Sequence, residues 1–181
     1  ADLIGLDYPS VARIRAIAED SCGIPGDHVM VSCSHTHSGP AVQTLRGLPS
    51  DPRYLDSLER KLGELVADAD SRRQSVNLGT GEGAADFNVN RRLRTPEGTV
   101  MRANPDGMVD KRVRVLRVDP VSVRSAPGTL GGRPLPQSEP VAILFSYVCH
   151  ATVLGHDNFR YSGDYPGAAR RFVERAYGSD E

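Results

Sequence analysis

The stretch Val141-Ala142-Ile143-Leu144-Phe145-Ser146-Tyr147-Val148-Cys149 constrains this chain more than any other. It is almost wholly apolar and β-prone, and it stops at His150. A strand with no polar side reads as buried on both faces, at the centre of a sheet covered by other elements. Helical patterns are available to cover it. Residues 9–22 place Val11, Ile14, Ile17 and Ala18 on one face, with Pro9 in the first turn and Gly23 at the C-cap. Residues 52–69 carry Leu55, Leu58, Leu62, Leu65 and Val66 as a buried stripe, with Asp51 as N-cap and Pro52 at the first position. Residues 166–177 read as a closing helix.

The remaining segments are shorter. Ile24 to Asp27 is a turn, and His28 to Cys33 alternates as a strand with Val29, Val31 and Cys33 on one side. Residues 75–80 suggest a short strand, followed by a glycine-rich turn at Gly79-Thr80-Gly81-Glu82-Gly83. That turn lacks the spacing of a phosphate-binding fingerprint and has no helical pattern after it, which favours a plain loop. Arg112 to Val118 alternates charged and apolar residues, as a half-exposed strand does. Residues 121–140 hold Pro127, Gly128, Gly131, Gly132, Pro134, Pro136 and Pro140, the composition of a loop. The fold class these patterns predict is α/β of the mixed α+β kind: a buried sheet flanked by helices, with an active site at the C-terminal ends of strands.

The 181 residues carry a formal net charge of −1, with 39% hydrophobic and 25% charged residues. No global basic field argues for a nucleic-acid partner. The basic clusters at Arg91, Arg92 and Arg94 and at Lys111, Arg112 and Arg114 read as solvated faces. No run of about 18 apolar residues predicts a membrane span. The cysteines, Cys22, Cys33 and Cys149, are odd in number and form no closely spaced pair, so buried free thiols are expected. The opening Ala-Asp-Leu-Ile-Gly-Leu has the pattern of a strand without an initiator Met, and residues 178–181 follow a helix with no terminal signal; both ends read as cut.

Chemistry concentrates where strands end. His35 and His37 follow the first predicted strand, and His150 follows the apolar one, with His156 six residues later. On an extended backbone residues two apart share a face, so His35 and His37 can address one site. Imidazole is a natural zinc ligand, and a catalytic zinc keeps three protein ligands and one open position. Two readings stay open for these histidines: metal ligation, or capping of strand ends by hydrogen bonds to backbone. Phe87-Asn88-Val89-Asn90-Arg91-Arg92 offers an Arg able to clamp a carboxylate or polar head group, or else a surface arginine run. Asp164, within Ser162-Gly163-Asp164-Tyr165-Pro166-Gly167, is either an N-cap or a carboxylate that orients a histidine. Ser34 and Ser38 bring a serine-hydrolase reading to mind, but no Gly-x-Ser-x-Gly is present, and Ser38 before Gly39-Pro40 suits a turn.

Taken together, four segments in order resemble the neutral/alkaline ceramidase family. Ser34-His35-Thr36-His37-Ser38-Gly39-Pro40 looks like its Thr-His-Thr-His-Ser-Gly-Pro segment, and Phe87 to Arg92 is similar to its Asn-Ile-Asn-Arg segment. Val148-Cys149-His150-Ala151-Thr152 resembles its His-x-Thr after an apolar strand. Asn158 with Ser162 to Gly167 resembles the Asn and Ser-Gly-Asp-x-x-Gly that follow. The resemblance identifies residues 1–181 as part of an N-terminal catalytic domain, truncated at both ends, with 121–140 as a loop within it.

What that resemblance implies is a zinc-dependent hydrolase acting on linear amide C–N bonds, cleaving an N-acyl sphingoid base or a related lipid amide by attack of zinc-bound water. His35 and His150 would be zinc ligands, with the remaining ligands expected downstream. His37 would be the proton donor beside the metal, and Arg91 would bind the substrate head group. Secretion or a periplasmic location is implied only by the family. The chain alone is expected to be inactive. The competing expectation is a non-catalytic relative that keeps the fold and binds a lipid or carbohydrate.

Overall fold

The computed structural model describes residues 1–43, 49–121, 127–130, 133–136 and 139–177. They divide into two compact units. Unit 1 joins Ala1–Arg73 to Ala151–Ala176, and unit 2 comprises Gln74–His150 with Tyr177. The α-helices fall in unit 1 and the small antiparallel sheets in unit 2, a mixed α/β composition, as the sequence predicts.

In unit 1, helix α1 spans Tyr8–Cys22 and helix α2 spans Pro52–Ser71. Both begin as their sequences dictate. The Asp7 carboxylate accepts from the Ser10 N–H and the Asp51 carboxylate from the Arg53 N–H, satisfying donors that a first helical turn leaves unpaired. Gly23 ends α1 at φ 74°, a left-handed conformation that glycine adopts without steric cost. The helices pack through Ile14 and Ala18 of α1, both fully buried. On α2, however, the deeply buried residues are Glu59 and Gly63, while Leu55, Leu58, Leu62 and Val66 are half-buried and Leu65 is exposed. The reason lies in the close approach of the helices. A Cβ on Gly63 would come within 2.5 Å of Ile17 Cγ2, so the contact centres on the glycine. Beside it, Glu59 is drawn in by Arg13 of α1, 3.0 Å away.

No regular strand forms over residues 28–33. A single 3₁₀ turn at Gly26–His28 precedes irregular chain. That chain instead bonds the opening residues: Ala1 nitrogen donates to Ser32 O, Ser34 N–H to Ala1 O and His35 N–H to Leu3 O. Helix α3, Asp164–Ala176, completes unit 1.

Unit 2 is built on strands β1 (Val76–Ala84), β4 (Arg112–Pro120) and β7 (Ala142–Tyr147), antiparallel in the order β1-β4-β7. Two expectations are corrected here. The glycine-rich stretch is not a turn: β1 runs through it, with Gly79, Gly81 and Gly83 opposite Arg117, Val115 and Val113. Added Cβ atoms there would meet nothing within 4 Å, so these glycines weaken the strand without blocking it. The apolar strand β7 is not the central, doubly buried one. It lies at the sheet edge, with Ile143, Phe145 and Tyr147 half-buried and Ala142, Leu144 and Ser146 exposed. Strand β4, with its charged alternation, takes the centre instead.

Two hairpins extend unit 2. Strands β2 (Leu93–Thr95) and β3 (Gly98–Val100) pair across a turn that places Gly98 at φ 129°. Strands β5 (Pro127–Leu130) and β6 (Arg133–Pro136) pair within the segment expected to be a loop. The three cysteines are half-buried thiols, and burial raises the pKa of Cys33. Among the described residues no helix is long and apolar enough to cross a membrane. The expectation about residues 178–181 lies outside the described residues.

Candidate functional site

Each unit carries one pair of the residues singled out from the sequence. In unit 1 the segment from Ser34 to Pro40 is held at both ends. Its start is bonded to the opening residues, and its second half to the loop before α3. Thr36 is wholly buried; its hydroxyl donates to the Ser162 carbonyl at 2.7 Å and accepts from the Ser38 N–H at 3.1 Å. The Ser162 N–H donates to Ser38 O at 3.0 Å, and Asn158 Nδ2 donates to Ser38 Oγ at 2.9 Å. Gly39 is required where it stands, since a Cβ would lie 2.8 Å from the Asp2 carbonyl oxygen. With Thr36 pointing inward, its neighbours His35 and His37 are both exposed. Their rings meet edge to face, centroids 5.3 Å apart at 80°.

His35 takes the left-handed backbone region, φ 61°, which costs an L-residue roughly 1–2 kcal/mol. Two bonds hold it there: its N–H to Leu3 O at 3.0 Å, and its ring Nδ1 to Ile4 O at 2.5 Å. A carbonyl can only accept, so Nδ1 carries the proton and the imidazole lone pair sits on Nε2.

Unit 2 holds the second pair. Arg91 follows β1 after an irregular run, and His150 lies three residues past the end of β7, where the sequence places it. The Arg91 guanidinium contacts His150 Nδ1. A guanidinium has only donors, so Nδ1 is the acceptor and carries the lone pair in this arrangement.

Among the other expected residues, His156 is exposed in a turn closed by the Asn158 N–H to Gly155 O bond. Asp164 is buried, with φ 54°. Its carboxylate accepts from the N–H groups of Val153, Leu154 and Tyr165, at 3.3, 2.9 and 2.6 Å, so these bonds shape the loop that follows His150. Ser38 Oγ is engaged by Asn158, a structural role that fits the turn reading. The sequence reading missed Thr36 and the tie from Asn158. Their signal lay in the two motifs themselves, Ser34 to Pro40 and Asn158 to Gly167, which bond to each other.

The arrangement is thus a mixed α/β protein that exposes imidazoles on loops, with a guanidinium beside one of them. No protein-family model matches the sequence, and no curated protein matches it either. Among solved structures the fold resembles that of the neutral ceramidase from Pseudomonas aeruginosa, with a TM-score of 0.70 over 99% of this chain at 19% identity. The chain spans 28% of that protein's length.

Proposed function

We propose that this chain is part of a metal-dependent hydrolase of ceramidase type, acting on the amide of an N-acyl sphingoid base or a related lipid. The observation that carries the reading is the fold likeness to a neutral ceramidase across 99% of the chain. The donor chemistry agrees with it. His35 and His150 are imidazoles whose hydrogen bonds assign one lone pair to each ring, on Nε2 and Nδ1 respectively. Neutral imidazole is the ligand that zinc takes most readily alongside thiolate. We assign His35 and His150 as zinc ligands, with further ligands drawn from outside these residues, since a catalytic zinc has three protein ligands. Zinc, when bound, supplies a Lewis acid that polarises the amide carbonyl and acidifies water.

The protein's own residues have separate tasks in this proposal. Amide hydrolysis breaks the C–N bond, and the departing amine needs a proton. His37, edge-on to His35, is assigned as the general acid that gives it. Arg91 is assigned to the polar head group of the substrate, where a planar fork of donors gives directional recognition. In binding substrate it would turn from His150, so ligation through His150 Nδ1 and head-group binding by Arg91 go together.

Zinc titration of the full-length protein, which carries the further ligands, against a competing chelator tests the reading, because it needs no turnover. One zinc per chain is expected, with binding weakened at least about tenfold in His35→Ala and in His150→Ala. Zinc-free protein at any concentration, or variants that bind as wild type does, would sink the metal assignment. Binding of an N-acyl sphingoid base without zinc would favour the non-catalytic lipid-binding reading.

A further inference from the structure

Asn88 has no task in the proposed chemistry, yet it is 9% exposed and bonded on several sides. Its Nδ2 donates to two carbonyls, Asp110 O at 2.7 Å and Val148 O at 2.8 Å. Its backbone N–H donates to the Tyr147 hydroxyl at 3.2 Å, and that hydroxyl donates to Ala85 O at 3.1 Å. The Phe87 and Tyr147 rings pack with centroids 4.8 Å apart. The segment leaving β1 is therefore stitched to the end of β7 at Tyr147 and Val148. Arg91 lies three residues beyond Asn88, and His150 lies two beyond Val148. The half-buried Arg91 and the exposed His150, which meet, hang from the two chain segments of one partly buried junction.

We infer that Asn88 is a positioning residue: it fixes the register between residues 85–91 and 147–150 and so brings the Arg91 guanidinium to His150 Nδ1. The side-chain chemistry is selective. One nitrogen must offer protons to two separate backbone carbonyls. An amide does this; a hydroxyl offers one proton and a carboxylate none. Bonds shielded from water also hold their geometry better than the exposed contact between Arg91 and His150. Asn90, two residues on, serves as a contrast. It bonds Met108 O and the Arg92 N–H and makes no bond to residues 147–150.

The inference rests on the proposed zinc reading for one of its two readouts only. The first is the ring nitrogen shifts of ¹⁵N-histidine in the metal-free full chain, with His150 assigned by its loss in His150→Ala. Wild type is expected to show His150 Nδ1 as an acceptor. Asn88→Ala should move that resonance and leave His35 and His37 in place, and Asn90→Ala should leave all three in place. If Asn88→Ala does not fold, Asn88→Ser, which keeps one donor, is read instead and should give a smaller movement. A folded Asn88 variant with His150 at its wild-type shifts overturns the positioning role. The second readout is zinc affinity. Arg91 and zinc compete for the lone pair on His150 Nδ1, so Asn88→Ala, which releases Arg91, is expected to bind zinc more tightly than wild type, and an unchanged or weaker affinity counts against the role. A wild type that takes no zinc would end the metal reading, and the nitrogen shifts would still decide the role of Asn88.

Discussion

At the scale of single residues, His35 combines a strained backbone with a functional side chain. Its φ of 61° and its bond to Ile4 O pull in opposite directions energetically. Glycine would relieve about 1 kcal/mol of steric cost and forfeit a hydrogen bond worth about 1 kcal/mol. His35→Gly should therefore keep its urea midpoint close to wild type while losing zinc, a separation of stability from binding that equilibrium unfolding and titration together would show. Asp110 makes the opposite case, a carboxylate with a purely structural effect. Its hydrogen bonds from Arg112, with the charges of Arg112 and Arg114, hold its pKa well below the usual carboxylate range. A depressed folded pKa contributes stability above the unfolded value of about 4, lost as pH falls through the folded one. Wild type should thus lose more stability between pH 4 and pH 2 than Asp110→Asn does, measured by urea unfolding at each pH.

At the scale of elements, the helices were legible, and so were the three strands of the main sheet as strands, but the extent of β1 and the place of β7 and β4 in the sheet were not, for physical reasons. Asp7, Gly23, Asp51 and Pro52 are local signals that act within one turn, so α1 and α2 stand where their sequences put them. Burial along α2 was misread because a heptad-like leucine stripe says nothing of how near the neighbouring helix comes. Gly63 carries that information. Ala there would gain up to about 1 kcal/mol of helix propensity. It would also drive a Cβ to 2.5 Å from Ile17 Cγ2 and 3.2 Å from the Ile14 backbone oxygen. Overpacking of that kind costs about 1–3 kcal/mol, so the clash should win. Gly63→Ala is expected to lower the thermal midpoint, followed by circular dichroism on heating, and since the Ile17 Cβ lies only 2.6 Å from the added Cβ, Ile17→Ala should not restore it. Strand β7 was misplaced because an apolar run does not reveal whether its edges are paired. Its exposed Leu144 and the charged but central β4 show that neighbours, not composition, decide the position. The glycines of β1 looked like a turn for the same reason: their partners in β4 lie thirty or more residues away.

At the scale of the whole molecule, unit 1 is discontinuous and unit 2 is inserted into it. The histidine-bearing residues were found from four ordered motifs, but the bonds that set them were visible only when distant segments met. Thr36 is the test of that long-range closure. Thr36→Val keeps its shape and leaves the Ser162 carbonyl without a buried donor, a loss of about 1–3 kcal/mol. The expected outcome is a lower urea midpoint for unit 1, followed by a probe confined to it. Wild-type stability in Thr36→Val would show that this bond adds nothing to the closure. The same span has a meaning in time. Thr36 is synthesised 126 residues ahead of Ser162, and at about 5–20 residues per second that is roughly 6–25 s on the ribosome. For that interval the nascent histidine loop exists without the second half of its frame, exposed to whatever waits at the exit tunnel.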